Sequence, residues 1–319
     1  MVGRTGEAEP GVLAREWAPP RAPSLWRTLS RFVVRKPLGA FGVFVIVVLV
    51  VAAAAAPVLA RYGVEKAFVV ANPAYDPSSL ETQASSPTLI DTQAAPSMRH
   101  WFGTDNYGRD SYARIIWGSR RTLKVGLFSL TMGTAVGIMI GLTSAYFSGL
   151  LDTIVQRFMD SFQSFPALLF LILLVTVRAP TELNLIIGLA IVSVPSISRI
   201  VRSVVLQTRE MPYVEAARLI GASDLRIMGR HILPNIMAPI IVVFTIGVGT
   251  VILAEAMLSF LGLGPPGISW GQMLDTGRLF VLTSPWLALF SGGAITLAVL
   301  AFNLAGDALR DVLDPRLRM

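Results

Sequence analysis

Very few side chains in this sequence are of the types that carry out catalysis or bind metals. The 319 residues include no cysteine and only two histidines, His100 and His231. Disulfides, thiolate chemistry and multi-histidine metal sites are therefore excluded. A serine nucleophile would need a histidine close to it, but the predicted topology places His100 and His231 on opposite sides of a membrane. We predict no catalytic residue and no metal ligand in this chain.

Phosphate-binding glycine motifs are also missing or out of context. The dipeptide Gly-Lys does not occur, so there is no P-loop. Gly262, Gly264 and Gly267 match the spacing G-x-G-x-x-G, but they follow an apolar segment instead of a strand, and prolines occupy the two x positions before Gly267. Such a stretch cannot begin a helix over a pyrophosphate, and it predicts a turn.

Long apolar segments make up most of the chain, and they must position its other features. The chain is 53% hydrophobic and 15% charged, with a mean hydropathy of +0.63, which predicts a lipid environment. A membrane-spanning helix needs about 20 apolar residues. The third segment reaches that length only if it begins near Ile154 and includes Arg157 and Asp160. We predict an all-α polytopic membrane protein with six transmembrane helices, at 38–60, 123–147, 165–177, 183–201, 236–261 and 286–304.

The distribution of basic residues predicts the orientation. Arginines and lysines precede the first segment, lie between the fourth and fifth, and follow the sixth. By the positive-inside rule these regions are cytoplasmic, as are both termini. The net charge of +7 is then explained without a nucleic-acid partner. A cleaved signal peptide is the alternative for the first segment, but the long leader and apolar run favour an anchor.

These boundaries predict the domain organisation. Within the outer region, we expect 72–98 to be loop and 101–122 to lie at the membrane surface. The first 24 residues have the composition of a disordered segment. The parts are a cytoplasmic N-terminal segment (1–37), a first transmembrane helix (38–60), an extracytoplasmic segment (61–120), a five-helix core (121–308) with a cytoplasmic loop at 202–235, and a cytoplasmic tail (309–319).

Two features within the apolar segments stand out. Gly133, Gly137 and Gly141 recur at every fourth residue, which predicts close packing of a neighbouring helix. Glu255 is an ionisable residue inside the fifth segment. Such groups usually face protein or water, so it is either a gate or translocation-path residue, or a structural carboxylate paired near the outer face.

The polar stretch at 213–235 predicts a short helix, a stop and a second helix. Pro212 suits a first turn, and Glu215 and Arg218 suit the two ends of the helix dipole. Gly221 can take the left-handed conformation that ends a helix. Ser223 or Asp224 can cap the next helix. That helix would present one apolar face, formed by Leu225, Met228 and Ile232. It would end before the fifth segment, at Pro234.

The same stretch resembles the EAA loop of bacterial ABC-importer permeases. The matching residues are Glu215, Ala216 and Ala217, then Gly221 after three intervening residues, and Leu233-Pro234, with His231 standing where the general pattern has isoleucine. FGTDNYGRDSYARIIWGSRRTL, DTIVQRFMDSFQSFPALL, LAEAMLSFLGLG and NLAGDALRDVLDPRL are similar to the DppC/OppC-like branch, which transports dipeptides, oligopeptides or nickel. The similarity runs from about residue 25 to the C-terminus.

The resemblance implies a type I ABC importer permease fold in a bacterial inner membrane. It implies partners: a second, DppB/OppB-like permease, two ATPase subunits or domains that bind ATP and Mg²⁺, and an extracytoplasmic substrate-binding protein. This chain itself would bind no cofactor. Its EAA residues would couple the ATPase to transport. Peptides are the favoured substrate; nickel or another small solute, and a stand-alone channel or secondary transporter, are the alternatives.

Overall fold

A computed structural model of the chain describes Val34 and residues 36–72 and 88–313. The chain divides into two units, residues 1–37 and residues 38–319. Only the last few residues of the first unit are described, so the predicted disorder of the first 24 residues, like the last six residues of the tail, lies outside the described residues. The second unit contains all the features discussed here.

The second unit is a bundle of helices with one small sheet. Five of the described helices, with α8 and α9 taken as one, are long and apolar enough to cross a membrane. The helices, in chain order, are α1 (Pro37–Ala54), α2 (Ala56–Leu59), α3 (Ser111–Phe147), α4 (Gly149–Gln163), α5 (Ala167–Val177), α6 (Glu182–Thr208), α7 (Pro212–Leu219), α8 (Asp224–Arg226), α9 (Leu233–Phe260), α10 (Trp270–Arg278) and α11 (Pro285–Leu313).

The third predicted span is broken. Helices α4 and α5 are bent by 80° relative to each other, so a sixth span exists only if the bent pair counts as one. The chain leaves the helix at Ser164 and re-enters it after Pro166. The bend follows from Pro166, which lacks an N–H and disfavours helical geometry in the residue before it. The chain therefore does not form one continuous helix from Ile154, and the segment predicted at 165–177 contains a helix of only 11 residues.

Two boundaries in the outer region also differ from the prediction. Helix α3 begins at Ser111, where the Asp110 side chain accepts a 2.9 Å hydrogen bond from the Ala113 amide, so half of 101–122 is helical. Part of the predicted loop is a strand: β1 (Val69–Ala71) pairs antiparallel with β2 (Thr88–Ile90). The sequence carries no local signal for this pairing, because the two strands lie far apart in the chain.

The longest interface of the bundle lies between α3 and α6. A Cβ atom on Gly133 would lie 2.8 Å from the Ala190 carbonyl oxygen, and one on Gly137 would lie 2.7 Å from Cγ2 of Ile197. A Cβ on Gly141 would similarly approach α6. At these three glycines the backbones of α3 and α6 approach too closely for a Cβ atom to fit without a shift.

Candidate functional site: the loop between α6 and α9

Helix α7 packs one face against the core, near the end of the bundle where α3 ends. Val214 and Ala217 are buried, and both belong to the main hydrophobic cluster. Glu215 and Ala216 lie on the exposed face. Met211 has extended backbone geometry, and Pro212 follows it in the first turn, as its sequence position predicts. The packing of two small apolar side chains holds this short helix at a fixed position.

Gly221 ends α7 in the left-handed conformation, with φ of 78°. The Gly221 amide donates to the Arg218 carbonyl at 2.9 Å, and the Ala222 amide donates to the Ala217 carbonyl at 3.0 Å. This pair of bonds is a Schellman motif, which satisfies the last carbonyls of a helix. A Cβ atom on Gly221 would meet nothing within 4 Å. The glycine is therefore required by its backbone angle and not by lack of space.

The second helix does not end at Pro234. Helix α8 continues without a break into a π-helical segment, Ile227–Ile232, and then into α9, so that one helix runs from Asp224 to Phe260. Pro234 occupies the first turn of α9, where its missing N–H is tolerated because the wider π turn precedes it. The prediction of a separate amphipathic helix was wrong.

The buried face of this helix also differs from the predicted one. Leu225 is 80% exposed, whereas Ile227, Met228 and Ile232 are buried. Ile227 and Ile232 are five residues apart, and a π-helix aligns residues at about that spacing. The expected i, i+3, i+7 pattern assumed an α-helix. The Ser223 side chain makes no capping bond either.

Polar side chains connect the loop to the end of α3. The Tyr146 hydroxyl donates a 2.6 Å hydrogen bond to Asp224, and the Arg218 guanidinium lies 5.5 Å from the centre of the Tyr146 ring. Arg209 donates to the Ala145 carbonyl at 2.8 Å, at the C-terminal end of α3. We did not predict these residues as part of the site. Arginine near a helix end was visible in the sequence, but its partner in another helix was not.

Three apolar side chains project from the loop, and we call them the apolar cap: Leu219, Ile220 and Leu225. They are 83%, 85% and 80% exposed. They flank the Gly221 turn, among charged residues and outside the predicted apolar segments. Large apolar side chains that are exposed close together in the chain, among charged residues, indicate a protein interaction site.

Glu255 lies in α9, close to the opposite end of the bundle, and it is completely buried. Its carboxylate accepts a 2.8 Å hydrogen bond from Ser259, and Arg121 is near enough to attract it. Arg121 itself donates to the carbonyls of Pro265 and Pro266. Its second carboxylate oxygen is buried and has no hydrogen-bond partner among the described residues. The turn after α9 contains Gly262 and Gly267, both with positive φ, as the sequence predicts for a turn.

A second charged cluster orders the outer segment before α3. Asp105 accepts hydrogen bonds from the amides of Tyr107 and Arg109, and from the Arg109 side chain at 2.8 Å. Burial lowers the pKa of Arg109, but hydrogen bonds and attraction from Glu65 and Asp105 outweigh it and raise that pKa above its ordinary value. His100 pairs with Asp110 at 2.8 Å. In the described part of the chain, no three acidic or histidine side chains come together as a metal site.

Comparison with known proteins identifies the class to which this fold and loop belong. The family described as binding-protein-dependent transport system inner membrane component matches residues 133–319. The chain belongs to this family: it is a membrane-embedded permease component of an ABC transporter, and ATP hydrolysis is carried by a separate subunit.

Individual relatives are similar over most of the chain. The dipeptide transport system permease protein DppC of Alkalihalophilus pseudofirmus is 38% identical, over 99% of both chains. The glutathione transport system permease protein GsiD of Pectobacterium atrosepticum is 42% identical, over 70% of this chain and 75% of its own. An inward-facing structure of the MetNI methionine ABC transporter has the same fold, with a TM-score of 0.52 at 21% identity, covering 63% of this chain and 96% of that chain.

Proposed function

We propose that this chain is a permease subunit of an ATP-driven peptide importer and that α7, with the apolar cap, is its docking site for the ATPase. Both termini and the loop then face the cytoplasm. A second permease, two ATPase subunits that bind ATP and Mg²⁺, and an extracytoplasmic binding protein complete the importer. Family membership supports this assembly, and the names of the dipeptide and glutathione relatives support a peptide substrate.

The observation that carries the docking proposal is the exposure of the apolar cap. Leu219, Ile220 and Leu225 each keep at least four fifths of their surface exposed within this chain. Removing three large aliphatic side chains from water would stabilise a complex by about 1.5–3 kcal/mol each, before the cost of association. Glu215 and Arg218 on the exposed surface of α7 supply charges for orientation.

The two ends of the loop explain how docking could move the membrane domain. On one side, Val214 and Ala217 attach α7 to the core. On the other, the helix from Asp224 to Phe260 is continuous. A displacement of the cap therefore reaches α9 through a single helix, with only the π segment to absorb it. Residues in π-helical turns often lie at functional positions.

The resemblance assigned one role to all six loop residues, but their environments differ. Glu215 and Ala216 are exposed and can contact a partner, whereas Ala217 is buried and holds α7 in place. Gly221 sets the turn. Leu233 is half-buried against the core and Pro234 is exposed, both at the beginning of α9.

The experiment is to replace the cap residues with acids. The double variant Leu219→Glu/Ile220→Glu, co-expressed with its transporter partners, should fail to co-purify with the ATPase and should lose ATP-dependent dipeptide uptake in proteoliposomes. Leu282→Glu is the matched control, because Leu282 is 97% exposed in the loop between α10 and α11. Normal co-purification of the double variant would refute the docking proposal. Uptake by the chain without any ATPase would instead indicate a stand-alone transporter.

A further inference from the structure

The break between α4 and α5 lies at a depth where a membrane helix should be continuous. Helix α5 has 11 residues and is about 16 Å long, too short to cross a hydrocarbon core of about 30 Å. Gln163, at the end of α4, donates a 3.0 Å hydrogen bond to Ser196 of α6. Ser196 lies about 21 Å along α6 from its outer end at Glu182. The break is therefore about two thirds of the way across the membrane.

Exposed polar side chains surround this break. Arg199, one turn beyond Ser196, pairs with Asp160 of α4 at 2.6 Å, and these side chains are 51% and 50% exposed. Ser203 continues the same face of α6. We call Ser196, Arg199 and Ser203, together with Asp160 and Gln163, the polar stripe.

Along α6, Ser196 and Arg199 lie about 21 and about 26 Å from its outer end, inside a hydrocarbon core of about 30 Å, where lipid would accommodate them only at an energetic cost, whereas Ser203 lies at the inner edge of that core. Ionisable groups inside a bilayer usually face a water-filled cavity or other protein, and non-helical backbone at membrane depth occurs only in the same surroundings. One turn further along α6, Arg202 shows the contrasting case. It makes two hydrogen bonds, of 2.7 and 2.6 Å, to Asp152, whose side chain is only 10% exposed. Of the two ion pairs between α4 and α6, the Arg202–Asp152 pair is largely buried, whereas the Arg199–Asp160 pair is about half exposed.

We propose that the polar stripe lines the water-filled translocation path and that the Asp160–Arg199 pair contacts the charged ends of a zwitterionic substrate as it passes. A substrate with an α-amino group and an α-carboxylate carries the two charges that complement this carboxylate and guanidinium. An exposed pair contributes little to stability, so exchanging partners with such a substrate changes the fold little. This inference rests on the proposed function, since it assumes that peptides cross between this permease and its partner.

The absence of cysteine allows a direct test of water access. Ser196→Cys and, as a control, Phe44→Cys would each introduce a single thiol into the chain. Phe44 is 64% exposed on the apolar helix α1. The assembled importer, in proteoliposomes with the reagent on both sides, is treated with the cationic, bilayer-impermeant thiol reagent MTSET. We expect the Ser196→Cys variant to react at least tenfold faster than the Phe44→Cys variant. Equal, slow reaction of both variants would overturn the proposal.

The second part of the test concerns the substrate. L-alanyl-L-alanine, supplied with the binding protein and ATP, should slow MTSET modification of the Ser196→Cys variant at least threefold, and adding Arg199→Gln should abolish this protection. Arg202→Gln is the matched control: it should reduce the yield of folded importer but leave the protection unchanged. Protection that survives Arg199→Gln would exclude a substrate contact at this arginine.

Failure of this inference can be distinguished from failure of the proposed function. MTSET access to the thiol at position 196 needs neither ATP nor a docked ATPase, whereas the apolar-cap variants report only on ATPase docking. An unreactive Ser196→Cys variant in an importer that couples normally would refute the polar stripe alone.

Discussion

Tyr146 and Asp224 join the end of α3 to the first residue of the helix that becomes α9, through a 2.6 Å hydrogen bond. The Arg218 guanidinium also lies over the Tyr146 ring. Three helices, α3, α7 and α8, therefore meet at one aromatic side chain. Within the proposed mechanism, this contact makes the loop move together with the bundle.

Replacing Tyr146 with phenylalanine should weaken coupling without preventing assembly. The ring and its contact with Arg218 remain, but the hydrogen bond to Asp224 is lost, at a cost of about 1 kcal/mol. We expect the ATPase to bind normally and dipeptide uptake per ATP hydrolysed to fall severalfold. Tyr107→Phe, in the outer segment, is the control. An unchanged ratio of uptake to hydrolysis in Tyr146→Phe would show that this contact does not transmit motion.

Gly221 and Gly229 provide a matched pair for testing the turn. An added Cβ meets nothing within 4 Å at either position, but only Gly221 has positive φ. Gly221→Ala should reduce the free energy of unfolding by about 1–2 kcal/mol and lower coupled uptake. Gly229→Ala, within the helix, should be neutral or slightly stabilising. Thermal unfolding of the two purified variants measures the difference, and equal midpoints would contradict this explanation of the turn.

The glycine stripe predicts a purely structural defect. Gly137→Ala places a methyl group 2.7 Å from Ile197, so α3 and α6 must separate. We expect a loss of about 1–3 kcal/mol, seen as a lower melting temperature in detergent. Gly293→Ala is the control, because a Cβ there meets nothing within 4 Å. If Gly137→Ala melted like the wild-type chain, the close packing described here would be wrong.

Because Glu255 is buried, we expect it to be a structural carboxylate and not a gate residue. A glutamine retains an oxygen that can accept the hydrogen bond from Ser259. Glu255→Gln should therefore support dipeptide uptake within about twofold of wild type, whereas Glu255→Leu should lower the yield of folded protein because Ser259 loses its partner. A large loss of uptake in Glu255→Gln, at normal yield, would restore the gate hypothesis.

Sequence reasoning located the apolar segments, the glycine stripe and the Gly221 turn, because each depends on a local pattern. It failed where distant contacts determine the structure. The π segment before α9 lies in a stretch whose hydropathy favours a simple amphipathic helix, whereas the 80° bend between α4 and α5 had a local signal in Pro166. The roles of Tyr146 and Arg209 depend on partners in other helices. Strand β2 depends on β1, which lies far from it in the chain.

The central claim is that the apolar cap touches the ATPase. In the assembled importer, a photo-crosslinking amino acid at position 220, with position 282 as the control, tests this claim most directly. We predict that position 220 forms a crosslink to the ATPase subunit, that its yield changes when ATP is bound, and that position 282 forms none. An importer that hydrolyses ATP and transports dipeptide, yet gives no crosslink to the ATPase from position 220, would contradict the proposed coupling.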